Sequence, residues 1–226
     1  MAQWRQHFDE SDGYRLPESI VMLRRQCWLF AVGASLFAIA TAPGFPTIAG
    51  AGAANVLCFV GSWFFTSAAL IQLLMSRPST GRPWKSFPVR AAFFSAVTQF
   101  VGTLRFNIST GSAMWAHRIP DRRYFVWWPD LTGSIAFLIS GVLGVVAITV
   151  TVGFFQPKSR EWLAAWINMI GSIAFGASAV GAYINRAGVT EDELLSNTGT
   201  FVGALCFLAA ALIVLPRRPV AAHVQA

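Results

Sequence analysis

Few residues in this chain of 226 have side chains that could do chemistry where they stand. Arg105 is the first, a guanidinium inside the apolar run 89–109. A charge placed at bilayer depth costs about 3 kcal/mol or more unless it is paired, so an intramembrane Arg marks a candidate site. Asp130 opens the next apolar run on the same side of the membrane. An ion pair between Arg105 and Asp130 is the preferred reading. Snorkelling of the guanidinium to the outer headgroups, or an anion or substrate site, are the alternatives. Gln99 and Asn168 complete the polar set within the apolar runs, and interhelical hydrogen bonds suit them better than a substrate contact. Asn55, Asp130 and Asn197 stand near the outer starts of apolar runs, where helix capping is the cheap explanation.

Most catalytic and cofactor chemistry lacks residues to carry it. His7, His117 and His223 all fall in tails or loops, so no intramembrane pair of imidazoles is placed to ligate haem. No acidic residue stands mid-helix, which disfavours a carboxylate proton relay. P-loop, Gly-x-Ser-x-Gly and HExxH patterns are missing. Cys27, Cys58 and Cys206 match no CxxC spacing and read as buried reduced thiols. No catalytic residue, metal site or cofactor is expected, and the protein is not expected to be an enzyme.

The elements that must hold these residues are membrane helices. The chain is 55% apolar, 14% aromatic and only 12% charged, with mean hydropathy +0.54. About a quarter of the residues of a soluble domain are charged, so a soluble enzyme, a disordered protein and a disulfide scaffold are excluded. The net charge of +7 reads as Arg-rich cytoplasmic loops in a lipid bilayer, with no nucleic acid implied. Fifteen of seventeen basic residues are Arg, which with the many Ala and Gly suits a GC-rich bacterial genome. Apolar segments lie near 27–42, 53–75, 89–109, 130–155, 161–185 and 197–215. Nearly all reach the roughly 20 residues needed to span hydrocarbon, and the first does so if it starts near Ile20. The first 26 residues are mixed in charge and too acidic for a cleaved leader.

Every segment carries Gly, a small residue, two free positions and Phe. The glycines are Gly33, Gly61, Gly102, Gly133, Gly171 and Gly203, with Phe four residues after each. Gly33 to Gly102 and Gly102 to Gly171 are both 69 residues, and Gly61 to Gly133 to Gly203 are 72 and 70. The unit is a two-helix hairpin of about seventy residues, present three times. Gly beside a small residue lets helix backbones approach, and Phe one turn on fills the space beside the contact. Helix packing is the expected role of these glycines. The expected fold is therefore all-α, with six transmembrane helices in three tandem hairpins at 27–75, 89–155 and 161–215. An N-terminal segment at 1–26 and a tail at 216–226 flank them. Twelve Lys and Arg fall on one side and four on the other, which puts both termini in the cytoplasm of a plasma-membrane protein.

The last hairpin carries a likeness. Trp166-Ile167-Asn168-Met169-Ile170-Gly171-Ser172-Ile173-Ala174-Phe175, followed by Asn197-Thr198-Gly199-Thr200-Phe201-Val202-Gly203-Ala204-Leu205-Cys206-Phe207, resembles the YrhK-like domain of bacterial membrane proteins over about 160–216. The resemblance implies a small two-helix membrane unit and brings no catalytic residue, ligand or activity. Two functions follow from the sequence. The favoured one is an integral membrane structural or interaction protein, partnered by a second copy or another membrane protein. The alternative is a small transporter or channel with a site between the hairpins near Arg105. A continuous polar cavity would favour transport, and a dry Phe and Gly core would favour packing.

Overall fold

The structure, a computed structural model, describes residues 18–77 and 86–216. Arg5, Arg15, Arg82, Lys85, Arg217 and Arg218 of the orientation count lie outside the described residues, as do His7, His223 and most of the two end segments.

Long apolar stretches rich in Ala, Leu and Phe form helices because their backbone groups have no water partner in lipid and must bond internally. The helices are α1 (Glu18–Thr41), α2 (Phe45–Ala49), α3 (Ala51–Met75), α4 (Phe87–Ser112), α5 (Ile119–Asp121), α6 (Trp128–Val152), α7 (Arg160–Gly181) and α8 (Glu193–Val214). Their ends have local causes. Gly50 and Gly153, at φ 86° and 109°, take a backbone that side chains resist and so break the chain before α3 and after α6. Ser159 Oγ accepts from the Trp162 amide, and Asp192 Oδ1 from the Leu195 amide, which caps α7 and α8. Among the described residues there is no strand beyond one isolated bridge, Ile184 to Thr190.

The sequence places the start of the fourth apolar segment at 130, but the helix begins at Ile119. Arg122–Trp127 is a π-helical turn that runs straight into α6. Pro129 cannot donate to the carbonyl one turn back and its ring crowds that carbonyl, so a wide turn just before it relieves the clash. Five helices are long and apolar enough to cross a membrane: α1, α3, the continuous Ile119–Val152, α7 and α8. At 26 residues α4 has the length, but Arg90, Gln99, Arg105 and Asn107 dilute its hydropathy.

The six long helices close into a ring. Each packs against its neighbours in the order α1, α3, α4, α6, α7, α8, and α8 returns to α1. Within each sequential pair the motif glycines face one another. A Cβ on Gly33 would stand 2.9 Å from the Gly61 carbonyl oxygen, and one on Gly61 would stand 3.1 Å from that of Gly33. The same reciprocal approach joins Gly102 to Gly133, and a Cβ on Gly203 would stand 3.0 Å from the Gly171 oxygen. Each glycine also seats the partner helix's Phe: Phe137 on Gly102, Phe106 on Gly133, Phe207 on Gly171, Phe175 on Gly203. The following residues, Ala34, Ser62, Thr103, Ser134, Ser172 and Ala204, are all fully buried in the seams.

Candidate functional site: two axial cavities and a phenylalanine layer

All six motif phenylalanines turn inward and form one cluster on the ring axis. They do so because Gly and Phe, four residues apart, share a helix face, and that face points to the centre. Phe175 and Phe207 stack at 5.2 Å, Phe106 and Phe137 meet at 4.9 Å, and Phe37 and Phe65 cross edge-on at 5.7 Å. Further edge contacts, Phe37 to Phe175 and Phe65 to Phe207, tie the pairs across the axis. A void inside this layer measures about 10 Å³. That is at the lower limit for a single water, and its walls are largely aromatic, so the layer is dry.

A cavity lies on each side of the layer. One lies at the end of the ring that carries the loop between α7 and α8, and is named the outer cavity after the side the charge count assigns to that loop. It is about 470 Å³ and has Phe37, Phe106 and Phe175 as its floor. Its walls hold Asn55, Cys58, Ser109, Thr110, Asp130 and Thr200, among others. The inner one, about 210 Å³, rests on Phe65 and Phe207 and is walled by Gln26, Gln72, Ser95, Gln99, Ser140 and Asn168. The motif numbering explains both sets. Cys58, Asp130 and Thr200 each stand three residues before the glycine of α3, α6 and α8, so they occupy equivalent places around the outer axis. Phe30, Gln99 and Asn168 each stand three residues before the glycine of α1, α4 and α7, and they ring the inner axis.

The polar residues singled out in the sequence are distributed differently from expectation. Arg105 and Asp130 form no ion pair. Arg105 is half-buried between α4 and α6, where its Nε donates to Thr132 Oγ1 at 2.9 Å. Asp130 lines the outer cavity. The reason is angular: Asp130, Gly133, Ser134 and Phe137 share the inward face of α6, and Thr132 lies about 200° around from Asp130. Arg105 therefore lines neither cavity. Gln99 and Asn168 make no hydrogen bond with each other, and both line the inner cavity, where Gln99 Oε1 is buried without a partner among the described residues. Asn55, Asp130 and Asn197 do not cap helices. The caps belong to Gly50 and Asp192, and α6 has no free start at 130, so all three project from helical turns into the outer cavity.

The seams between helices are stitched by hydroxyls the sequence did not flag. Ser95 and Ser140 each donate to the other's main-chain oxygen at 2.8 Å across α4 and α6. Asn107 Nδ2 donates to Thr66 Oγ1 at 2.9 Å across α3 and α4, and Ser178 Oγ donates to the Ser196 oxygen at 2.7 Å across α7 and α8. At the outer rim the π-turn holds the loop between α7 and α8. Arg122 Nη1 donates to the Gly188 oxygen, Arg123 Nε to that of Ile184, and Trp127 Nε1 to that of Ala179. The Arg123 guanidinium also lies 5.5 Å over the Tyr183 ring. Among the described residues no group of three or more His, Cys, Asp or Glu is placed to hold a metal ion.

No known protein family, curated protein or solved structure matches the chain.

Proposed function

We propose that this protein is a small membrane channel or transporter whose path runs along the axis of the ring, with the phenylalanine layer as its closed gate. A dry Phe and Gly core alone would favour packing, and the polar space is not continuous. One observation turns the reading to a closed path: two cavities with polar walls meet the same aromatic layer from opposite sides. A scaffold that only packs helices has no need of a carboxylate, six amides and several hydroxyls directed at its own axis. Hydrophobic constrictions close a path by dewetting, and a small rotation of the rings would open it without breaking a hydrogen bond. In this reading all six long helices span the plasma membrane as three repeated hairpins, with both termini cytoplasmic, and no chemistry is done on the solute. The hairpin at 160–216 is read as a YrhK-like unit. Repeats that frame a central site are a recurrent plan in transporters.

The test is flux through liposomes that contain the purified chain. Wild type should leak little, while Phe175→Ser, which wets the gate, should raise small-ion flux by about tenfold or more. Flux at the level of empty liposomes in Phe175→Ser and in Phe106→Ser, both recovered folded, would return the protein to a packing role.

A further inference from the structure

We propose that the outer cavity is a binding site for a monovalent cation, an alkali ion or a primary ammonium, with Asp130 as its charged ligand. The inference rests on the axial path and adds what that path selects. Asp130 has no hydrogen-bond or ion-pair partner among the described residues, although it stands well inside the ring. A carboxylate left unpaired there costs free energy that a bound cation would offset. It sits one helical turn from Gly133 and seven residues, about 10 Å along the helix, from the gate residue Phe137.

The neutral walls suit the same ligand. Thr41 and Thr110 each spend their single hydroxyl proton on a carbonyl of their own helix, Phe37 and Phe106 respectively. What such a hydroxyl has left to offer the cavity is lone pairs, which a cation can use and an anion cannot. Ser109 is 5% exposed, lines the cavity and has no side-chain partner among the described residues. The other charges on the wall, Arg122 and Glu193, are opposite in sign and near the outer rim, and Arg122 is engaged with the Gly188 oxygen. One carboxylate among neutral oxygens favours a singly charged ion, since divalent sites assemble several anionic ligands. Beyond the gate, the free Gln99 Oε1 offers a further oxygen to a cation that has passed.

The native Cys58, at the place on α3 equivalent to Asp130 on α6, reports on this site. The full chain in lipid nanodiscs is treated with neutral methyl methanethiosulfonate, and Cys58 modification is followed by mass spectrometry of its peptide. The salts compared are sodium, potassium and methylammonium chloride against N-methylglucamine chloride at equal ionic strength. One or more of the small cations should slow the reaction by about threefold at twice its dissociation constant and raise the melting temperature by about 2 °C. The salt that protects distinguishes an alkali ion from an ammonium group. Asp130→Asn should abolish both effects while melting normally in N-methylglucamine. Identical rates and melting temperatures in all salts would overturn the site, and so would protection that survives in Asp130→Asn. Flux through Phe175→Ser without any cation effect would sink this inference and leave the path standing; a cation effect without flux would do the reverse.

Discussion

Arg105 shows how far residue type alone can mislead. Its charge and depth invite a partner of opposite sign, but the partner within reach is the Thr132 hydroxyl. A hydrogen bond from a charged donor contributes about 1.5–3 kcal/mol. A double-mutant cycle should therefore find Arg105→Ala and Thr132→Val coupled by about 1 kcal/mol in thermal melts, with Arg105→Ala and Asp130→Asn additive within about 0.5 kcal/mol. Strong coupling between Arg105 and Asp130 would contradict the placement of Asp130 on the axial face. Cys58 offers a second test at this scale. Water-soluble thiol reagents applied from the outer side should label it faster than Cys27, which is buried in α1. Equal protection of the two would mean that the outer cavity is closed to water.

At the scale of the helix, the glycines divide by what a methyl group would meet. On Gly203 a Cβ would lie 2.5 Å from Phe175 and 3.0 Å from the Gly171 oxygen, a backbone atom that cannot move aside. On Gly144 it would meet only Ser95 Oγ at 3.5 Å, an ordinary contact. Gly203→Ala should then destabilise by about 1–3 kcal/mol through overpacking. Gly144→Ala should be neutral, or stabilising by up to about 1 kcal/mol through helix propensity, and should narrow the inner cavity. Melting curves in one detergent that rank these two variants the other way would refute the reciprocal glycine seams. The wide turn at Arg122–Trp127 is a second feature of this scale. Pro129→Ala removes its cause, so hydrogen exchange over 122–127 should show slower opening as the turn relaxes towards an α-helix.

For the whole molecule the decisive feature is closure. α1 packs on α8, so the first and last helices are neighbours and the axis is enclosed on every side. Closure makes the six phenylalanines a single layer and splits the polar interior into two compartments. The proposed topology belongs to this scale too. Twelve basic residues against four predict that reporter fusions after Pro216 read cytoplasmic and fusions beside Arg118 read external. An external signal at the C-terminal end would overturn the six-span arrangement.

Period and composition were enough for the sequence to determine the helices and the shared face of each Gly and Phe, but not the layer that closure makes of them. A Gly and a Phe four residues apart must share a face, so helix packing around glycine and aromatic filling were legible in each segment before any fold was known. The membrane character followed from the scarcity of charge. Whether Asp130 faced Arg105 or the axis was not legible, because that depends on the rotation of α6 about its own length, and only its contacts with α4 and α7 set that angle. The same holds for Gln99 and Asn168. Their spacing placed them at one level, but spacing along a helix cannot say whether two amides meet in a seam or stand apart around a cavity. The tertiary structure decided this by closing the ring, since an interior exists only once six independent faces are turned towards one axis.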